Sequence, residues 1–379
     1  MKSFNNVNVY VEGKGIIKAS LCFDEKIAKI SLNEQFENGI EIPNDCTVFP
    51  GFIDEHIHGA GGFDAMDGTT DALNTISKTL VKEGTTSYLA TTMTVDKDKI
   101  ITALNTVKNH TDIEGGAKVL GAHLEGPFIS KKFKGAQAEK YVEKPSVSLM
   151  KEFITASGNK IKIVSLAVEE DGGYDLVKFL NQNGIVASIG HSSAKYQDVL
   201  QAVELGAKSV THTYNAQSPL HHREIGVVGS AMLIDELNTE IICDTIHVSV
   251  PAIKMLLKNK NDDKVIMITD SMRAKGLSDG ISELGGQTVY VKDGEARLKD
   301  GTLAGSILKM NDAVKNLVQK VGVSLVDAID FATINPAKLL GEDKFIGSIK
   351  EGKRADFTVL DENFNVYMTV VEGNIVYKQ

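Results

Sequence analysis

Hydrophobic and polar positions follow two rhythms along this chain. Near the N-terminus, Val7, Val9 and Val11 alternate with polar neighbours, Glu12-Gly13-Lys14-Gly15 breaks the run, and Ile16-Ile17 resumes it. The C-terminus behaves alike, with Phe357-Thr358-Val359-Leu360, Val370-Val371, a Glu372-Gly373-Asn374 break and Ile375-Val376-Tyr377. Side chains on a strand change face at every residue, so such alternation interrupted by glycine predicts β-hairpins. Two β-rich ends around a different middle predict one small β-sandwich built from both termini, residues 1–48 and 344–379.

The middle, residues 49–343, alternates short apolar runs with longer stretches of helical period. Eight runs read as strands: Val48–His58, Ser87–Met93, Val119–Glu125, Ile161–Ala167, Ile185–His191, Ser209–Asn215, Glu240–Val248 and Val265–Met272. Helices are expected over Thr70–Glu83, Tyr174–Gln182, Tyr196–Leu205 and Val250–Lys258. Strand-then-helix alternation places the strands parallel, and eight of them predict an α/β (β/α)8 barrel of the TIM type. Turns at Lys292-Asp293-Gly294 and Lys299-Asp300-Gly301 mark a hairpin-like stretch after the eighth run, followed by helices over Lys309–Lys320 and Leu325–Leu340.

Composition narrows the function. Apolar residues make up 42% and charged residues 24% of the 379, an ordinary globular mixture. No apolar run approaches the ~18 residues of a membrane span, and the first residues lack the apolar core of a secretory leader. The three cysteines, Cys22, Cys46 and Cys243, are far apart and in no Cys-x-x-Cys pair, which fits small core residues in a reducing, cytoplasmic setting. A net charge of −9 without a basic block argues against nucleic acid. An anionic small molecule would need its own cationic pocket.

In such barrels the C-terminal strand ends carry the chemistry. Here those ends hold His56-Ile57-His58, Glu125-Gly126-Pro127, Gly190-His191-Ser192, Thr211-His212-Thr213, His247 and Thr269-Asp270-Ser271. His-x-His on a strand puts both rings on one face, where they can share an ion. Each piece alone is unremarkable: a His-x-His pair arises by chance, and Glu-Gly-Pro is an ordinary turn. Together, His56, His58, Glu125, His191, His212 and Asp270 form a candidate metal-ligand set. Imidazole nitrogen with carboxylate oxygen suits zinc, iron or manganese better than calcium. His110 reads as a solvated helix end, and His123 as support for a ligand.

These segments resemble the amidohydrolase superfamily and, within it, the N-acetylglucosamine-6-phosphate deacetylases. The similarity runs through PGFIDEHIHG (50–59), GAHLEGPF (121–128), GHSSA (190–194), THTYNA (211–216), CDTIHV (243–248), TDSMRAKG (269–276), LAGSILKM (303–310), INPAKLLG (334–341) and GSIKEGKRADFTVLD (347–361). LEGPF joined with THTYNA and LAGS is the most specific part. The resemblance implies one metal on Glu125, His191 and His212, and a second on His56 and His58 with Glu125 bridging, so one or two divalent ions per chain. It implies Asp270 as the catalytic acid–base. It assigns a phosphorylated amino sugar to Asn215, Ala216, Arg223 and His247, with His247 reaching the site of a partner in a homodimer. Gln137 stands where relatives often carry a substrate-contacting histidine.

Other readings stay open from the sequence. N-acetylgalactosamine 6-phosphate differs only at one hydroxyl. An acyl-amino or cyclic-amide hydrolase is disfavoured, because no lysine ends the fourth strand to bridge two metals as a carbamate. A non-catalytic metal-binding barrel would not need Asp270. Arg223 could be a solvated loop cation.

Overall fold

The computed structural model describes residues 1–379. Eight parallel strands form the barrel sheet: Phe52–Ile57, Thr85–Thr91, Lys118–Glu125, Ile161–Leu166, Val186–Ile189, Ser209–Val210, Asn238–Ile242 and Val265–Ile268. Each pairs with its sequence neighbour, as short right-handed crossovers dictate. The ring closes between the first and last strands through His58 N to Ser271 O (2.9 Å) and Asp270 N to His56 O (2.9 Å). That closure sets the His-x-His pair beside Asp270.

The expected strands overrun their C-terminal ends. Ser209–Asn215 is strand only over Ser209–Val210, because His212, Tyr214 and Ala216 adopt positive φ (29°, 83° and 50°) and coil the chain out of the ladder. The helix expected over Leu325–Leu340 is two, Leu325–Ala332 and Ile334–Leu339, broken at Thr333 (φ −133°, ψ −82°). Pro336 lacks the N–H that a continuous helix would need there. Helices over Lys97–Asn109, Val147–Ala156 and Gly226–Leu233 add to those expected. The last is apolar on nearly every face and so carries no periodic signal. His110 corrects its expectation as a solvated end: its backbone turns extended (φ −66°, ψ 132°) and its side chain is only 2% exposed. No helix is long and apolar enough to cross a membrane.

The termini build a small β-sandwich whose seven strands form one hydrogen-bonded sheet. Its order is Asn374–Lys378, Val366–Val371, Phe357–Leu360, Thr47–Pro50, Lys2–Val11, Gly15–Phe23 and Ile27–Ser31. Register shifts between Phe4 and Val7 and between Cys22 and Phe23 let it bend over its own core. At the centre, the fully buried rings of Phe4, Phe23 and Phe357 stand 4.9–5.8 Å apart. The sheet seats on the barrel through Thr369 Oγ1 to Val81 O (2.7 Å), Gly51 N to Asp356 O (2.9 Å) and Arg354 Nη2 to Ser87 Oγ (3.0 Å). These contacts lie toward the N-terminal strand ends, leaving the opposite rim free. A three-stranded insert, Gly280–Leu284, Gln287–Lys292 and Glu295–Arg297, stands on that rim with its expected turn at Asp293-Gly294.

Phe357→Ala should cost about 3–5 kcal/mol through lost burial and the cavity left behind. Urea unfolding measures this. A loss below about 1 kcal/mol would mean the ring is not part of a packed core.

Candidate active site

The metal-ligand candidates sit where their strands release the chain. Glu125 is the last residue of the third strand, and His58 is one residue past the first. His191, His212 and Asp270 each lie two residues beyond the fifth, sixth and eighth strands. All three have left-handed backbones (φ 48°, 29° and 48°), which aim their side chains over the barrel mouth. Gly126 follows Glu125 with φ 76°, and any Cβ there would stand 2.0 Å from Thr94 Oγ1. Only glycine lets the chain turn so close beneath the site.

Four imidazoles converge on the Glu125 carboxylate. His191 Nε2 and His212 Nε2 lie 3.1 Å from Oε1, and His56 Nε2 lies 3.3 Å from it. His58 Nε2 lies 3.4 Å from Oε2 and 3.1 Å from Asp270 Oδ1. His191 Nε2 and His212 Nε2 are themselves 3.1 Å apart. Two ring nitrogens that close must share one proton or face a common cation. His56, His58 and Glu125 make one possible ion site and Glu125, His191 and His212 another, with Glu125 in both. Buried, mixed imidazole and carboxylate donors at this spacing fit one or two divalent transition ions.

Two of the four outer ring nitrogens are bonded, those of His56 and His191, while His58 Nδ1 and His212 Nδ1 are buried without a partner. His56 Nδ1 donates to Glu240 Oε2 (2.9 Å), which also accepts from the backbone N of His212 (3.0 Å). His191 Nδ1 donates to Phe133 O (2.9 Å). Each bond turns Nε2 inward, where it can ligate an ion once it carries no proton. His123 supports from below, as expected. Its ring meets that of His56 edge-on at 4.4 Å, and both nitrogens are spent on Glu55 O (3.1 Å) and Ser165 Oγ (2.7 Å). Ser165 and Ser188 then meet Thr211 Oγ1 at 2.6 and 2.7 Å, forming a hydroxyl chain inside the barrel.

Charge follows from this packing. Burial alone would push Glu125 up, but the charge of His56 and the hydrogen bonds of His191, His212 and His56 hold it well below the usual carboxylate range. Burial opposes ionisation of Asp270 too, and His56 with His58 overcomes it, bringing its pKa to about 2. Burial and the neighbouring His56 charge bring His123 down to about 3, so it stays neutral. Burial and the Glu240 charge push Glu55 well above the usual carboxylate range.

Above the cluster lies a pocket. His58, Glu125, His191, His212 and Asp270 border it, and Gln137, Asn215, Ala216 and His247 line it with them. Met93, Leu284 and Leu303, which sequence reading did not single out, add apolar wall. His247 thus borders the pocket of its own chain; its Nδ1 is fixed by Asp244 Oδ2 (2.6 Å), leaving Nε2 available. Gln137 faces Glu125. Arg223 stands outside the pocket, exposed, with Nη1 2.8 Å from His222 Nε2. Glu240 was also missed. Its one sequence signal is weak, a lone carboxylate directly before the apolar run Ile241-Ile242-Cys243 in the strand Asn238–Ile242.

Glu240→Gln keeps the shape but removes the charge that orients His56. Metal affinity, measured by chelator competition, should fall about 10–100-fold. An unchanged affinity would make Glu240 a core filler.

Comparison with known proteins agrees with this geometry. Residues 47–376 match the amidohydrolase family. The N-acetylglucosamine-6-phosphate deacetylase of Bacillus subtilis is 42% identical over 361 residues, covering 93% of this chain and 91% of that protein. The N-acetylgalactosamine-6-phosphate deacetylase of Escherichia coli O157:H7 is 35% identical over 327 residues, 86% of each. The crystal structure of N-acetylglucosamine-6-phosphate deacetylase from Pasteurella multocida superposes with a TM-score of 0.92 at 34% identity, covering 99% of both chains. The chain belongs to the amidohydrolase superfamily, in the group formed by the N-acetylglucosamine-6-phosphate deacetylases.

Proposed function

We propose that this protein hydrolyses the acetamide of N-acetylglucosamine 6-phosphate to glucosamine 6-phosphate and acetate. The observation that carries the reading is Asp270, 3.1 Å from His58 Nε2, beside two candidate metal-ligand triads that share Glu125, in a pocket bordered by Asn215, Ala216 and His247. The group to which the chain belongs supports the same substrate.

Glu125, His191 and His212 would hold one divalent ion, and His56 and His58 with Glu125 a second. When bound, the metal polarises the amide carbonyl and makes water more acidic. Asp270 accepts the proton as the water oxygen bonds to the carbonyl carbon. It returns the proton to the sugar nitrogen as the C–N bond breaks, so acetate and the free amine leave. Asp270 suits this because its backbone is pinned on both sides, N to His56 O at 2.9 Å and O to Ser306 N at 2.8 Å. Asn215 and the Ala216 backbone offer hydrogen bonds to the sugar phosphate, and His247 Nε2 offers an acceptor to a sugar hydroxyl.

Arg223 completes the phosphate site in this reading. Its planar fork matches phosphate oxygens. It does not border its own chain's pocket, whereas His247 does, so Arg223 is the residue that a second copy would supply. The protein then works as a homodimer.

Acetate release from phosphorylated and unphosphorylated N-acetyl sugars tests the reaction. N-acetylglucosamine 6-phosphate should turn over fastest. Metal-loaded Asp270→Asn should lose at least about a hundredfold in kcat. Faster turnover of N-acetylgalactosamine 6-phosphate would move the assignment to the epimer, as in the Escherichia coli relative. Hydrolysis of acyl-amino acids with none of the sugar phosphates would overturn it.

Co-expressing Arg223→Ala with Asp270→Asn tests the dimer. If Arg223 acts across the interface, each mixed dimer holds one complete site, and roughly a quarter of all sites recover in a random mixture. No recovery would place Arg223 in its own chain's site or outside the chemistry.

A further inference from the structure

Gln137 carries a role that neither the metal cluster nor the proposed reaction assigns to it. Its side chain is 4% exposed and its amide is engaged at both ends. Oε1 accepts from the backbone N of Thr94 at 2.7 Å. Nε2 donates to Glu125 Oε2 at 2.7 Å and has Met93 Sδ at 3.7 Å. The amide orientation follows from its neighbours. A backbone N–H can only donate, and an ionised carboxylate can only accept, so oxygen must face Thr94 and nitrogen must face Glu125.

The other side-chain groups placed to donate to Glu125 are His191, His212, His56 and His58, all candidate metal ligands. Once their Nε2 lone pairs point at an ion they can donate nothing to Glu125. Gln137 is then the one side-chain donor left to fix a flexible carboxylate that two ion sites share. It also comes from a segment that already serves the cluster: Phe133 O receives His191 Nδ1 at 2.9 Å, and Ser130 N donates to His191 O at 2.8 Å. That segment is anchored in turn by Gln137 N to Lys134 O (2.9 Å) and by Gln287 Nε2 to Ala136 O.

We propose that Gln137 is a positioning residue for metal binding. It holds the Glu125 carboxylate so that Oε1 faces His191 and His212 while Oε2 stays within reach of His58. Its two amide groups are spent on protein, so it acts on the reaction through Glu125 rather than through the substrate. The inference rests on the metal reading of the cluster but not on the identity of the sugar.

Gln137→Leu keeps the bulk and removes both bonds. Chelator competition with zinc, which needs no substrate, should show metal affinity weakened about 10–100-fold, the usual consequence of losing a partner that orients a ligand. The cobalt-loaded variant should show a changed visible ligand-field spectrum. Thermal unfolding of the metal-free protein should stay close to that of the parent, because a general structural role would lower it. If Gln137→Leu does not fold, Gln137→Asn draws the same amide back by one methylene and is read in the same assay. Zinc affinity and a cobalt spectrum equal to the parent's in the folded variant would overturn the proposal. So would an equal loss of stability in the metal-free protein that accounts for the weakened binding.

Discussion

One buried carboxylate sets the terms for this molecule. Glu125 lies 2% exposed at the barrel mouth with four imidazole nitrogens within 3.4 Å of its oxygens. An isolated charge in such a place costs far more than a domain's net stability can bear, so it exists only with compensating positive charge. Protons on His56 and His58 can supply that charge, and so can a divalent ion. Each ion must displace such protons, so metal binding and the protonation of the cluster are one equilibrium. Glu240 and Asp270 extend the same accounting, since each faces a histidine of the cluster.

The backbone bends to serve this arrangement. His191, His212 and Asp270 occupy left-handed conformations that non-glycine residues seldom adopt. Such positions persist only where their surroundings over-determine them. Here they do: Asp270 is tied to the first strand and to Ser306, and His191 O is held by Ser130. His212 N is held by Glu240. The left-handed residues sit at the rim, while the eight strands below pair in parallel. The terminal sheet rests toward the opposite end, so it covers that end without entering the chemistry.

Much of this was legible in the sequence. Period-two alternation at both ends and the strand–helix rhythm between them carry the architecture, because burial on a sheet face enforces them. His56 and His58 announce themselves by spacing, and Glu125, His191, His212 and Asp270 by their places after apolar runs. Other features have no local signature. The runs overshoot at their C-terminal ends because a left-handed turn is not coded by hydrophobicity. Glu240 is a single acid whose partner is 184 residues away. Gln137 meets Glu125 only because a loop folds back across the mouth, and no spacing records that. His110 looked solvated because a helix end normally is. Arg223 is the reverse case: its sequence context suggests a site residue, while one chain alone leaves it outside the pocket.

The loop that carries Gln137 therefore has two duties that cannot be separated. Gly135 and Ala136 line the pocket, while Phe133 and Gln137 orient His191 and Glu125. A change of loop sequence that reshapes the wall must also move the groups behind His191 and Glu125. The three-stranded insert presses on the same loop through Gln287 and adds Leu284 to the wall. The shape of the pocket and the geometry of the histidine–carboxylate cluster are thereby linked through contacts between packed elements, and linkage of this kind is reciprocal. A wall residue such as Leu303, which bonds to none of the cluster, can be exchanged without removing these contacts. Phe133 and Gln137 cannot be exchanged on the same terms.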